Sequence, residues 1–238
     1  MASTSVSPSP ASSSAPPSTT PSTPPSPANL QFKTIIYYPA LHPLPQLHLT
    51  ALRDLINPAY SSRELNTFTI SRIPDEEAIE ISTPGRWVLC LYAPSASSPL
   101  PITVTDHVGV THDLSGLALV GTVSISRHKL GTVEGGPAAF RGDGKEELVE
   151  GTGEWHIHLL AASVEMPRAG LGARALQAAA DFVAHTGEAV VAYSIVEFGN
   201  VDYYERRGFV EVEGARIQMK AGSWDCTQPF TLARMVKA

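Results

Sequence analysis

The sequence has no charge at all near its N-terminus. Its 238 residues include 17 Lys and Arg against 23 Asp and Glu, and none of them precedes Lys33. The net charge of -6 provides no basic surface for a phosphate backbone, which argues against nucleic acid as a partner. The first 29 residues are almost entirely Ser, Pro, Thr and Ala, which bury too little apolar surface to offset chain entropy. We therefore predict a disordered tail over residues 1–29 and one domain over residues 30–238.

Cysteines and long apolar runs are scarce as well. The two cysteines, Cys90 and Cys226, lie far apart in strand-like segments, which is more typical of two buried thiols in a reducing compartment than of a disulfide. No segment approaches the roughly 20 apolar residues of a transmembrane helix. The N-terminus also lacks the basic start and apolar run of a secretory signal. We expect a soluble protein with no membrane partner, in the cytoplasm or the nucleus.

The hydrophobic pattern predicts a mixed α/β domain with one strand–helix–strand crossover. Short β-branched and aromatic runs indicate strands, and apolar residues spaced by three and four indicate helices. Two polar stretches, residues 93–116 and 127–153, are predicted as loop excursions, the first with room for an extra hairpin at 102–110. The predicted strands are 32–38, 86–92, 117–125, 154–164, 189–196, 209–219 and 227–235. The predicted helices run from 47 to about 57, from 74, from 171 to about 185, and from 200 to 207.

The strongest chemical signal is the loop between the fourth predicted strand and the helix that follows it. Residues 163–174 read SVEMPRAGLGAR, in which Gly170 and Gly172 allow the backbone to approach a phosphate oxygen. The first N–H groups of the helix lie at its positive end, and Arg168 adds a charge-assisted donor. This pattern predicts a phosphate-bearing cofactor. The alternative is a tight turn in which the glycines serve geometry alone.

A dinucleotide is the competing ligand for this loop. Gly170-x-Gly172-x-x-Ala175 fits the dinucleotide fingerprint, with Glu197 at a suitable distance for a ribose contact. That fingerprint normally opens several further strand–helix units, whereas only 41 residues follow Glu197. Residues 165–167 also separate the strand from the glycines. A dinucleotide-binding oxidoreductase is therefore the weaker hypothesis.

Two motifs, in the order of the predicted elements, resemble the GNAT superfamily of acyl-CoA-dependent N-acyltransferases. PRAGLGARAL (167–176) is similar to the Gln/Arg-x-x-Gly-x-Gly/Ala loop that binds the pyrophosphate of coenzyme A in that family. YYERRGF (203–209) is similar to its Tyr-x-x-x-Gly-Phe ending, and LRDLINPAY (52–60) to its first helix. The resemblance implies a mixed, mostly antiparallel central sheet. It also implies transfer of an acetyl group from acetyl-CoA to a small-molecule or peptide amine, by direct attack in a ternary complex and without a metal.

The resemblance implies a set of site residues too. Tyr204 would be the general acid for the departing thiolate, with Tyr203 as the substitute if the alignment is shifted by one residue. Glu197 would be the general base, with Glu165 as its rival. The predicted cofactor-binding residues are Val164, Met166, Arg168, Ala169, Gly170, Leu171, Gly172, Ala173 and Asn200.

Two further features bear on this hypothesis. His156 and His158 lie on one predicted strand, but no cysteine or carboxylate stands at ligand spacing, so we interpret them as non-metal histidines. The family's Gln or Arg is Pro167 here, and the Asn of many members is Glu197. These departures leave open a non-catalytic coenzyme-A-binding or interaction module on the same fold. A channel beside Val164, where neighbouring strands separate, is the feature that would discriminate between the two hypotheses.

Overall fold

The computed structural model describes residues 31–61, 73, 75, 86–95, 100, 103–127, 132–133, 136–137, 153–221 and 227–238. The predicted tail, the helix predicted from residue 74, Cys226 and most of the 127–153 excursion lie outside these residues. None of the helices in the described ranges has both the length and the apolar character needed to cross a membrane.

The described residues form three helices, one 3₁₀ turn and twelve strands. The helices are α1 (Gln46–Ser61), α2 (Leu171–Ala184) and α3 (Val201–Glu205), and the 3₁₀ turn is Val196–Phe198. The strands are β1 (Lys33–Tyr37), β2 (Trp87–Pro94), β3 (Thr103–Thr105), β4 (Thr111–Asp113), β5 (Leu117–Ser126), β6 (Thr132–Val133), β7 (Gly136–Pro137), β8 (Glu154–Ala162), β9 (Ala189–Ile195), β10 (Val210–Glu211), β11 (Ile217–Met219) and β12 (Phe230–Lys237).

One central sheet organises the molecule, in the order β1-β2-β5-β8-β9-β12-β10, with β11 also paired to β12. Every neighbouring pair is antiparallel except β8 and β9, which run parallel and are joined through α2. Parallel neighbours need such a crossover connection, because a tight turn joins only antiparallel strands. The predicted mixed, mostly antiparallel sheet with a strand–helix–strand crossover is confirmed.

The two faces of the sheet carry separate hydrophobic clusters, and we name each face after its helix. On the α2 face, the buried stripe of α2 packs against β5 and β8, including Trp155 and Ile157. On the α1 face, the buried side chains of α1 pack against β1 and β2, and here β8 contributes Leu159 and Ala161. The sheet is thus covered by a separate hydrophobic core on each face.

Some predicted boundaries were wrong for identifiable reasons. The helix predicted to end near residue 57 continues through Pro58 to Ser61, because a proline in the last turn removes only one helical hydrogen bond and few residues follow it. The strand predicted at 209–219 is two strands, β10 and β11, which pair with opposite ends of β12. Gly214 lies between them with a φ of 73°, a turn conformation that glycine adopts without steric cost.

The first polar excursion contains the hairpin for which the sequence left room. Strands β3 and β4 pair from Thr103↔Asp113 to Thr105↔Thr111. The hairpin is tied to the edge of the sheet at His107, whose backbone N–H donates to the carbonyl of Ile36 at 3.0 Å. Residues 103–113 are therefore an ordered arm beside β1 rather than a plain loop.

Candidate active site

The central parallel pair is joined over only half of its length. Strands β8 and β9 pair from Glu154↔Ala189 to Ile157↔Ala192. Beyond that point β8 continues along β5 and β9 continues along β12. The two strands therefore separate toward their carboxyl ends, leaving a gap that we call the β8–β9 cleft (residues 158–164 and 193–196). This separation beside Val164 is the feature that the sequence analysis named as discriminating.

The cleft opens where the predicted glycine loop begins. Val164 lies just beyond β8 and is 49% exposed. Arg168 and Gly170 have left-handed backbones, with φ angles of 65° and 71°. Arg168 is the one non-glycine residue with a positive φ in the described part of the chain. Such strain is tolerated mainly where the surroundings require it, and it is common at ligand sites.

Gly170 directly precedes α2, and no side chain caps the helix. The first N–H groups of α2 consequently face the loop, at the positive end of a 14-residue helix. A Cβ added at Gly170 would meet no atom within 4 Å, so the space above this residue is open. This is the geometry that an anionic phosphate needs.

Gly172 has a different neighbour. A Cβ at Gly172 would collide with the phenol oxygen of Tyr203. The guanidinium of Arg207 lies 3.4 Å from the centre of the Tyr203 ring and donates a hydrogen bond to the Tyr203 carbonyl. The second glycine is thus also required by packing between the glycine loop and α3, which the sequence did not reveal.

Tyr204, the predicted acid, is buried on the α2 face with 9% of its surface exposed. Its ring meets that of Phe209 edge-on at 5.3 Å and that of Tyr203 at 5.5 Å. Its backbone N–H donates to the carbonyl of Asn200 at 3.2 Å. The structure therefore brings Tyr204 into the core next to the glycine loop, while its role as an acid stays a prediction.

Glu197, the predicted base, lies two residues after the end of β9 and turns toward β12. Both carboxylate oxygens accept a hydrogen bond from the backbone N–H of Thr231, at 2.9 and 3.0 Å. Desolvation raises the pKa of Glu197, but hydrogen bonds from Thr231 and from its own backbone N–H, together with the charge of Arg216, outweigh it and leave the pKa below its ordinary value. These contacts lie on the β12 side of β9, away from the cleft. The role of Glu197 as the base stays a prediction.

The remaining predicted residues lie in the glycine loop, at the start of α2 or just before α3. Glu165 is exposed, and its backbone N–H bonds to the hydroxyl of Ser163 at 3.2 Å. Met166 and Ala169 are partly buried against the α2-face core, and Leu171 is buried in it. Asn200 lies immediately before α3.

The two histidines of β8 have different environments. His156 is 2% exposed, and its Nε2 lies 3.6 Å from Oε2 of Glu154, whose other oxygen accepts a bond from Arg234. His158 is partly exposed, and its Nε2 lies 2.6 Å from the hydroxyl of Ser126 on β5. Within the described ranges, no three His, Cys, Asp or Glu side chains are grouped as metal ligands would be.

Comparison with known proteins gives likeness in fold. No family model matches the chain, and no curated protein matches its sequence. Among solved structures, a protein from Desulfovibrio desulfuricans described as a GNAT-family acetyltransferase matches with a TM-score of 0.49 at 13% identity, over 86% of this chain and 98% of that one. The ribosomal-protein-S18-alanine N-acetyltransferase from Escherichia coli matches with a TM-score of 0.47 at 12% identity, over 86% and 93%.

An aminoglycoside 6'-acetyltransferase type Ii matches with a TM-score of 0.44 at 16% identity, over 80% of this chain and 88% of that one. Another match, the NatC complex, was solved with a Gag peptide and CoA, with a TM-score of 0.45 at 11% identity. Each of these matches is a likeness in fold alone. All of these TM-scores are below 0.5, and the geometry of the site carries the functional inference.

Proposed function

We propose that this protein is an acyl-CoA-dependent N-acyltransferase that moves an acetyl group from coenzyme A to an amine. The observation that carries the proposal is the β8–β9 cleft opening beside the glycine loop. A gap in the middle of a sheet is costly, because backbone groups lose their partners. Here the gap stands next to a helix N-terminus suited to phosphate.

The residues present fit coenzyme A. Arg168 and the N–H groups of residues 170–173 would hold the pyrophosphate, since the loop is left-handed at Gly170 and open above it. The amides of the pantetheine arm would extend the exposed edge at Val164 and Met166 as an added strand would. Asn200, at the start of α3, would border the same arm. When bound, acetyl-CoA supplies a thioester that an amine can attack.

Side chains of the protein must remove a proton from the ammonium and donate one to the thiolate. An ammonium has to lose a proton before it can attack, and the departing thiolate has to gain one. Tyr204 would supply the proton to sulfur, because a phenol with an ordinary pKa near 10 is a reasonable donor to a thiolate. Glu197 is the base that the motif implies, and it would take the proton of the ammonium through a water.

Calorimetry with acetyl-CoA tests cofactor binding. Asn and Asp are nearly isosteric and both tolerate a left-handed backbone, so Gly170→Asn and Gly170→Asp form a matched pair. We expect the wild type to bind and the Asp variant to bind at least about tenfold more weakly than the Asn variant, because a carboxylate repels phosphate. Failure of the wild type to bind acetyl-CoA would overturn the proposal.

An acceptor panel tests transfer. Thiol release from acetyl-CoA would be followed with spermidine, an aminoglycoside, 2-phenylethylamine and two peptides, one with a free N-terminus and one with an internal lysine. We expect one class of amine to accelerate thiol release and to yield the N-acetyl product by mass spectrometry. Tight acetyl-CoA binding with no product from any amine would instead favour the non-catalytic module.

A further inference from the structure

We propose that His158, coupled to Ser126, is the general base of the acetyl transfer. This inference rests on the proposed function and deepens it by naming a residue on the acceptor side of the site. It replaces Glu197, the base that motif similarity implied, with a residue chosen by the strand ladders.

His158 is the point at which the sheet divides. Its preceding residue is the last of β8 to pair with β9, in Ile157↔Ala192. On the other side, β5 pairs Ile125 with Ile157 and Ser124 with Leu159, so the register skips His158. The register of the β5–β8 ladder shifts between Ser124 and Ile125, and this shift falls at His158 on β8. It is a β-bulge at the vertex of the cleft, and bulges re-aim side chains next to active sites.

The bulge also determines on which face of the sheet the imidazole of His158 lies. Ile157 belongs to the α2-face core and Leu159 to the α1-face core, so the alternation of β8 changes phase at His158. Ser126 follows Ile125, which lies in the α2-face core, and therefore points to the opposite face. Since His158 bonds to Ser126 at 2.6 Å, its ring lies on the α1 face.

The cleft connects the two faces. The glycine loop feeds α2, so phosphates bound there lie on the α2 side of the sheet. A thioester whose arm passes through the cleft then points toward the α1 face, and an amine must approach it from that side. His158 stands at the inner end of this passage with Nε2 bonded to Ser126 of β5, whereas both carboxylate oxygens of Glu197 are bonded to the backbone N–H of Thr231.

The neighbouring histidine makes a poorer base. His156 is in register with partners on both sides, Val191 and Ser126. It is 2% exposed and lies beside Glu154, which is engaged by Arg234. Among the described contacts, Ser126 bonds to His158, and the Tyr60 hydroxyl of α1 accepts a bond from the N–H of Leu160, two residues along β8. A separate group contacts one another toward the start of β8: Glu154, His156, Tyr193 and Arg234.

The proton transfers balance. The nitrogen loses two protons in the reaction, and the sulfur gains one. The first proton passes from the ammonium through a water to the imidazole of His158, which its hydrogen bond to Ser126 orients, and later to solvent. The N–C bond then forms and the C–S bond breaks. The thiolate takes a proton from Tyr204, and the second proton of the nitrogen restores that phenol.

Kinetics on His158→Gln, Ser126→Ala, His156→Gln and Glu197→Gln test the assignment, with the best amine of the panel. We expect His158→Gln to lower kcat about 10²-fold or more, the usual contribution of a general base, and to abolish the acidic limb of the pH–kcat/KM profile. Ser126→Ala should lower kcat less and keep that limb. Acetyl-CoA affinity and thermal unfolding, measured on every variant, show that each is folded. Loss of the acidic limb in Glu197→Gln but not in His158→Gln would overturn the assignment.

A second measurement needs no acceptor. Protein labelled with ¹³C at histidine Cε1 would be titrated with acetyl-CoA, with the signal assigned through the His158→Gln spectrum. We expect the His158 signal to move on saturation while that of His48, buried on α1, stays fixed. Acetyl-CoA that binds by calorimetry but leaves the His158 signal unmoved contradicts this inference alone. Absence of binding contradicts the proposed function instead.

Discussion

At the scale of single residues, Gly172 is held to glycine by a contact within the chain. The phenol oxygen of Tyr203 occupies the place of a Cβ, and the next ring atom lies 3.4 Å from that place. The steric conflict is therefore confined to one oxygen. A glycine that looks like part of a ligand loop is here also a packing residue, and the two roles can be separated by substitution.

We predict that Gly172→Ala is destabilising alone and not in a Tyr203→Phe background. Overpacking costs about 1–3 kcal/mol, while alanine gains up to about 1 kcal/mol over glycine within a helix. With the oxygen removed, only the gain remains, so the double variant should be at least as stable as Tyr203→Phe. Urea unfolding of the four proteins measures this coupling, and strictly additive effects would contradict it.

A second residue-scale prediction concerns His48 on α1. It is fully buried, its Nε2 lies 3.1 Å from the Tyr92 hydroxyl, and Tyr92 in turn bonds Tyr37 at 2.7 Å. Desolvation lowers the pKa of His48 to about 4. Cys90 lies 3.8 Å from the same nitrogen, and burial raises the pKa of its thiol to about 12. This is the inert buried thiol that the sequence predicted for Cys90.

The direction in which pH changes the stability follows from the protonation of His48 in the folded and unfolded states. Above the unfolded pKa near 6.5, His48 is neutral in both states and its titration has no effect. Between pH 6.5 and 4 only the unfolded chain takes up the proton, so stability is lost as the pH falls, by about 3 kcal/mol in total. Urea unfolding at pH 7.5 and 4.5 for the wild type and His48→Gln measures it. An equal loss in both proteins would show that other groups are responsible.

At the scale of elements, the β3–β4 hairpin is organised by one carboxylate. Asp106 accepts hydrogen bonds from the N–H groups of Val108 and Val110 at 3.0 and 2.9 Å, and its other oxygen lies 2.7 Å from Nε2 of His112. Desolvation raises the pKa of Asp106, but these hydrogen bonds outweigh it and leave the pKa below its ordinary value. The turn between two short strands thus depends on an ionised side chain.

We predict that Asp106→Ala frees this hairpin without unfolding the sheet. Three bonds to an ionised acceptor are lost, each worth about 1.5–3 kcal/mol at most, and the hairpin is only three residue pairs long. Hydrogen exchange of residues 103–113 should accelerate, while β5 and β8 keep their protection. Exchange that rises equally across the sheet would contradict a local role.

The elements also show what sequence could and could not predict. The crossover from β8 to β9 was predictable because α2 has a clear apolar stripe and its flanking strands are continuous in apolar residues. The bulge at His158 was not, because residues 157–162 are nearly all apolar and give no sign of a change of phase. Contact between Tyr203 and Gly172 joins residues 31 positions apart and depends on how α3 packs, which no local pattern contains.

At the scale of the whole molecule, cofactor binding should stabilise the fold. A ligand that binds only the folded state adds about 2.7 kcal/mol at 100 times its Kd. We predict that acetyl-CoA raises the midpoint of thermal unfolding of the wild type and of Gly170→Asn, and that Gly170→Asp responds much less. Differential scanning fluorimetry with acetyl-CoA measures this, and an equal shift in Gly170→Asp would place the cofactor elsewhere.

The short ladder between β8 and β9 has a mechanical consequence. Only four residue pairs, from Glu154↔Ala189 to Ile157↔Ala192, hold the half-sheet β1-β2-β5-β8 to the half-sheet β9-β12-β10. We expect a ladder this short to act as a hinge between the two half-sheets, with α2 packed across it on one face. Twisting one half-sheet against the other widens or narrows the gap without breaking any other ladder. The width of the passage can therefore change while every other ladder of the described sheet stays intact.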